Sequence, residues 1–75
     1  MSLQASNMFD KYYKLFQGND QRCQRYQVVL SSFQVYSGIP MVAAGTDQTG
    51  SFLVTLDSGK QTEVKWNRLL AACPI

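Results

Sequence analysis

Histidine is absent from this 75-residue chain. That removes the side chain titrating nearest neutral pH and the commonest metal ligand. The acids stand singly, as Asp10, Asp20, Asp47, Asp57 and Glu63, so no carboxylate pair is set up for acid–base chemistry. Cysteine occurs only as Cys23 and Cys73, in no CxxC or other metal-binding spacing. Nothing in that usage suggests secretion, and a cytoplasmic protein with reduced thiols is expected. Charged residues make up 16% of the chain, and the longest apolar runs, 41–44 and 69–73, are far too short to span a bilayer. The first residues lack the basic-then-apolar pattern of a signal peptide. No nucleophile–base pair, metal cluster or phosphate loop is left. The expectation is a non-enzyme with no cofactor, no small-molecule substrate and no membrane partner.

What is present argues for a folded domain. Hydrophobic residues form 45% of the chain, with four Phe, four Tyr and one Trp, which excludes disorder. The length allows one domain spanning 1–75. A chain this small buries only about three-fifths of its extended surface on folding. A partner, most simply another copy of itself, is therefore expected. The net charge is +2. Lys11 and Lys14, Arg22 and Arg25, and Lys60, Lys65 and Arg68 form loose basic groups. Charge alone points to nothing more than a solvated mixed surface.

The periodicity changes along the chain. Met8, Phe9, Tyr12, Tyr13, Leu15 and Phe16 share one side of a helical wheel, with polar residues filling the rest. Ser6 or Asn7 is placed to cap this helix and Gly18 to end it; residues 1–6 are expected to be a flexible tail. The remainder reads as five short strands. Residues 26–36 carry Tyr26, Val28 and Leu30 on one phase and Phe33 and Val35 on the other. A bulge or bend is therefore expected near Ser31 and Ser32. Ser37-Gly38 reads as a turn. Strands follow over 39–46, 51–56, 61–66 and 69–73. Phe52, Val54 and Leu56 face one way, and Val64 and Trp66 point inward. The predicted fold is mainly β: an N-terminal α-helix, then a five-stranded, strongly bent antiparallel sheet or small open barrel.

Helix followed by five bent strands resembles the Sm-like family of Sm, LSm and Hfq proteins. Ser51-Phe52-Leu53-Val54-Thr55-Leu56 is similar to the third strand of that family. The stretch from Thr62 to Pro74 is similar to its closing strand, tight turn and aliphatic strand ending in proline. Trp66 and Asn67 stand where Hfq has a Lys-His pair, and Ser2-Leu3-Gln4 resembles the segment before the Hfq helix. The resemblance implies a homo-oligomeric ring of five to seven subunits, closed by pairing the fourth strand of one copy with the fifth of the next. It also implies binding of single-stranded, U- or A-rich RNA.

The resemblance places Phe52 as a base-stacking aromatic at the ring lumen, and Asp47, Gln48 and Thr49 on a lumen-lining loop. Lys65, Trp66, Asn67 and Arg68 would form the RNA-binding turn, with Trp66 as a second stacking platform. In a ring each charge repeats once per subunit, so a modest net charge becomes a dense basic annulus. Phe52 and Trp66 also fit plain core positions. Two other readings stay open: an SH3- or Tudor-like barrel that binds a peptide, and a structural oligomer without RNA affinity. A monomer would favour the former, and an oligomer without salt-sensitive RNA binding the latter.

Overall fold

The computed structural model describes residues 3–43, 45–47 and 49–75, with side chains from residue 8 onward. The Gln48 assignment, and the side chains of Ser2, Leu3 and Gln4, lie outside the described residues. Helix α1 spans Leu3–Phe16. It starts before the expected caps, so Ser6 and Asn7 lie inside it. A single turn, α2 (Asn19–Arg22), follows Gly18. The strands are β1 (Tyr26–Leu30), β2 (Val35–Met41), β3 (Ser51–Leu56), β4 (Gln61–Lys65) and β5 (Leu69–Pro74), with a 3-10 turn, Trp66–Arg68, between the last two. They form one antiparallel sheet of order β4-β3-β2-β1-β5, which does not close into a barrel. The mainly β architecture expected from the sequence is the one observed.

One connection forces this sheet to bend. β4 and β5 are its two edges, about 19 Å apart in a flat five-stranded sheet. Only Trp66–Arg68 separates them. That link spans at most about 15 Å fully extended and about 8 Å as a 3-10 turn. The sheet must therefore curl. Its concave face carries Tyr26, Val28, Leu30, Phe52, Val54 and Val64, all buried, matching the alternation seen in β1, β3 and β4.

Helix α1 covers that face with an aromatic cluster. The Phe16 ring lies 5.1 Å from Phe52, 5.2 Å from Tyr26 and 6.0 Å from Trp66. Phe9 meets Trp66 edge-on at 5.1 Å. Leu15, expected on the same face, is 44% exposed; it borders the apolar arc and points past it. Asn19 is fully buried, and its side chain is satisfied at both ends. Its amide donates to the Gln24 and Pro40 carbonyls and its oxygen accepts from the Gln24 N–H, which holds α2 against β2.

Two expected boundaries fall elsewhere. Ser37 and Gly38 are not a turn; they sit inside β2, opposite Gln27 and Tyr26 of β1. The chain reverses instead at 31–34, where Leu30 N–H donates to Gln34 O and Phe33 N–H to Leu30 O. Residues 26–36 are thus a hairpin rather than one bent strand. β2 also stops at Met41, short of the expected Thr46.

Candidate nucleic-acid interface

The β4–β5 turn carries the exposed cations of the candidate site. Lys65 ends β4, and Asn67 and Arg68 follow on the 3-10 turn; all three side chains are exposed. The β2–β3 loop lies beside them. Trp66 N–H donates to Gly50 O at 3.3 Å, and Ser51 is registered opposite Lys65. Within that loop Asp47 accepts from the Thr49 N–H at 2.9 Å and the Thr49 hydroxyl at 2.6 Å. The Thr49 hydroxyl bond, with the backbone N–H, holds the Asp47 carboxyl below its ordinary range. Asp47, Thr49, Lys65, Asn67 and Arg68 therefore do share one end of the sheet.

Phe52 and Trp66 do not join them there. Phe52 is 2% exposed and Trp66 1%, with ring centroids 4.5 Å apart under α1. Neither ring offers a free face, so the stacking roles assigned to them are corrected: both are core. The physical reason is α1, which supplies Phe9 and Phe16 to the faces a base would need. The Trp66 indole N–H is buried without a hydrogen-bond partner.

Other aromatic rings stand near the basic turn. Ser31 N–H donates to Arg68 O at 2.8 Å, tying the β1–β2 hairpin tip to the turn. At that tip Phe33 is 82% exposed, with a left-handed φ of 67°. Leu30, Gln34, Tyr36, Glu63, Val64, Lys65 and Arg68 line a cleft of about 290 Å³. Leu30 and Val64 give it apolar atoms, and its charged lining is Lys65 and Arg68 with one acid, Glu63. Phe33, Gln34 and Tyr36 are not among the residues expected at the site, because a turn at Ser37-Gly38 would set the hairpin tip away from Arg68. The one available signal was the break in apolar phase at Ser31-Ser32.

The other basic groups are partly engaged. Arg25 forms a two-pronged pair with Asp57 at 2.6 and 3.1 Å. Arg22 donates to the Leu15 and Gln17 carbonyls beyond the end of α1. Among the described residues no cluster of three metal-ligating side chains occurs, and no helix is long and apolar enough to cross a membrane. Cys23 and Cys73 are free and exposed. Comparison with known proteins gives no match to a family model, a curated protein or a solved structure.

Proposed function

We propose that this chain is a non-catalytic, RNA-binding protein of the Sm-like type that assembles with copies of itself into a closed ring in the cytoplasm. The observation that carries this reading is the position of the exposed Lys65–Asn67–Arg68 turn between the two edge strands of the sheet. Pairing β4 of one copy with β5 of the next repeats the turn once per subunit at one end of the ring. A rotation that closes makes such a contact a ring rather than a fibre. The repeated cations then face a single-stranded backbone. Tyr36 and Phe33 supply rings on which unpaired bases stack, in place of Phe52 and Trp66.

Two measurements test this. Native mass at low micromolar concentration should give five to seven subunits; a monomer throughout would refute the ring and favour a peptide-binding barrel. Lys65→Ala combined with Arg68→Ala should weaken binding of a fluorescent U- or A-rich RNA. The slope of log affinity against log salt should become shallower by about 0.7 for each phosphate that is no longer neutralised. Unchanged affinity and slope would place RNA elsewhere or nowhere.

Phe33 gives a sharper result, because stability and binding should move in opposite directions. A left-handed backbone costs a phenylalanine roughly 1–2 kcal/mol and costs asparagine less. Phe33→Asn should therefore raise the melting temperature by several degrees. The same change should weaken RNA binding severalfold by removing a stacking face. Raised stability with unchanged binding would leave Phe33 outside the interface.

A further inference from the structure

The two edges of the sheet are not equivalent. β1 and β5 pair antiparallel, with Val28 opposite Ala72. In such a ladder successive residues direct their N–H and C=O alternately toward the partner strand and away from it. Leu30 N–H donates to Gln34 O, so Leu30 and, two residues back, Val28 turn toward β2. The backbone groups of Ala72 then point outward, off the edge of the sheet. One side chain takes both. The Tyr12 hydroxyl accepts from Ala72 N–H at 3.2 Å and donates to Ala72 O at 2.9 Å. This one hydroxyl presents to Ala72 the donor and acceptor that a residue of an adjoining strand would present. Tyr12 is buried, 5% exposed, and stacks on Phe16 at 5.5 Å.

At β4 the situation is reversed. Trp66 N–H turns toward β3, to Gly50 O, so by the same alternation Glu63 and Lys65 direct their backbone groups outward. Among the described residues no side chain bonds to those groups. The molecule thus has one open edge, and one edge at which the outward groups of a single residue, Ala72, are taken by its own helix.

We infer that Tyr12 is a placeholder for the strand of a second copy, holding the outer edge of β5 until β4 of that copy displaces it. The inference rests on the self-assembly proposed above and adds its control. An edge strand with free backbone groups pairs indiscriminately unless it is covered. Covering β5 keeps it from pairing with another β5, and leaves a β4 edge that can replace two bonds to a hydroxyl by two to a strand. Helix α1 therefore sets how tightly the copies associate as well as covering the core.

The test compares the full chain with Tyr12→Phe, which keeps the ring and its packing on Phe16 and removes only the hydroxyl. The placeholder role predicts that the variant alone is less stable yet associates about tenfold more tightly by sedimentation or native mass. Hydrogen exchange at the Ala72 amide should be faster than in the parent chain when dilute, and slow again as concentration drives assembly. Tyr12→Leu, which also shortens the side chain over the edge, should move association the same way if the phenyl ring itself obstructs the strand. A parent chain that stays monomeric while a variant assembles also supports the proposal. If the parent assembles and both variants associate equally or more weakly, with the Ala72 amide fast at every concentration, Tyr12 is only a structural bond and the proposal fails while the ring stands. If no version assembles at the highest accessible concentration, the ring and the placeholder fail together.

Discussion

Gly38→Ala is expected to unfold most of the protein or shift its melting temperature below the working range. Gly38 lies in the middle of β2, opposite Tyr26 on one side and Leu56 on the other. A Cβ there would stand 2.2 Å from the Thr55 carbonyl oxygen and 2.8 Å from the Leu56 Cα. Those are backbone atoms of the neighbouring strand, with no rotamer to relieve the contact. Overpacking a core costs about 1–3 kcal/mol when side chains can yield, and here the backbone of β3 would have to move instead. A 75-residue chain has a total stability of only about 4–11 kcal/mol. Gly59→Ala is the comparison. Its φ is 92° with nothing within 4 Å of the added carbon, so it should lose only the roughly 1–2 kcal/mol of left-handed strain. Denaturant unfolding followed by circular dichroism separates the two. Equal losses at both glycines would show that close approach between β2 and β3 is not what requires Gly38.

Trp66→Ala is expected to cost about 3–5 kcal/mol, as large aromatic deletions in a core do. Trp66 touches Phe9, Phe16 and Phe52 at centroid distances of 5.1, 6.0 and 4.5 Å. Removing it opens a void between α1 and the sheet and loosens the start of the basic turn. Trp66→Phe should be much milder, because the indole N–H has no partner to lose. Any effect of Trp66→Ala on RNA binding should then follow its loss of folded protein. Trp66→Phe, once folded, should bind as the parent does. A Trp66→Phe chain of full stability that has lost RNA affinity would restore the stacking role to this residue.

These predictions depend on different kinds of information. The alternation of Phe52, Val54 and Leu56 was legible at once, because a half-buried strand writes its inward face at every second position. The helical arc of Met8, Phe9, Tyr12, Tyr13, Leu15 and Phe16 was equally plain, except that Leu15 at its border lies exposed. Ser37-Gly38 reads as a turn yet lies within β2 for a physical reason: glycine marks both a reversal and a place where two backbones come close. Only the position of Thr55 distinguishes the second use. The true reversal was hidden because it sets Phe33 at positive φ, which turn chemistry does not anticipate for a phenylalanine.

The candidate site divides the same way. Asn67 and Arg68 could be placed on a tight connection between two strands, with Lys65 in the strand before it, and their exposure follows from the polarity of that connection. Whether Phe52 and Trp66 faced solvent or core could not be read from their phase, because phase names a face and not what covers it. Helix α1 covers it. Likewise, Tyr12 was legible as a buried aromatic, whereas its hydroxyl's place on Ala72 depends on a contact across 60 residues of sequence. Sequence alone determined the fold class, a helix followed by five strands, and the apolar faces of the helix, β3 and β4, since those follow from local periodicity; the boundary between β1 and β2 did not. The tertiary structure decided which faces stay open, where the hairpin tip meets the basic turn and which sheet edge is already occupied, since each depends on groups brought together only when the sheet curls under its helix.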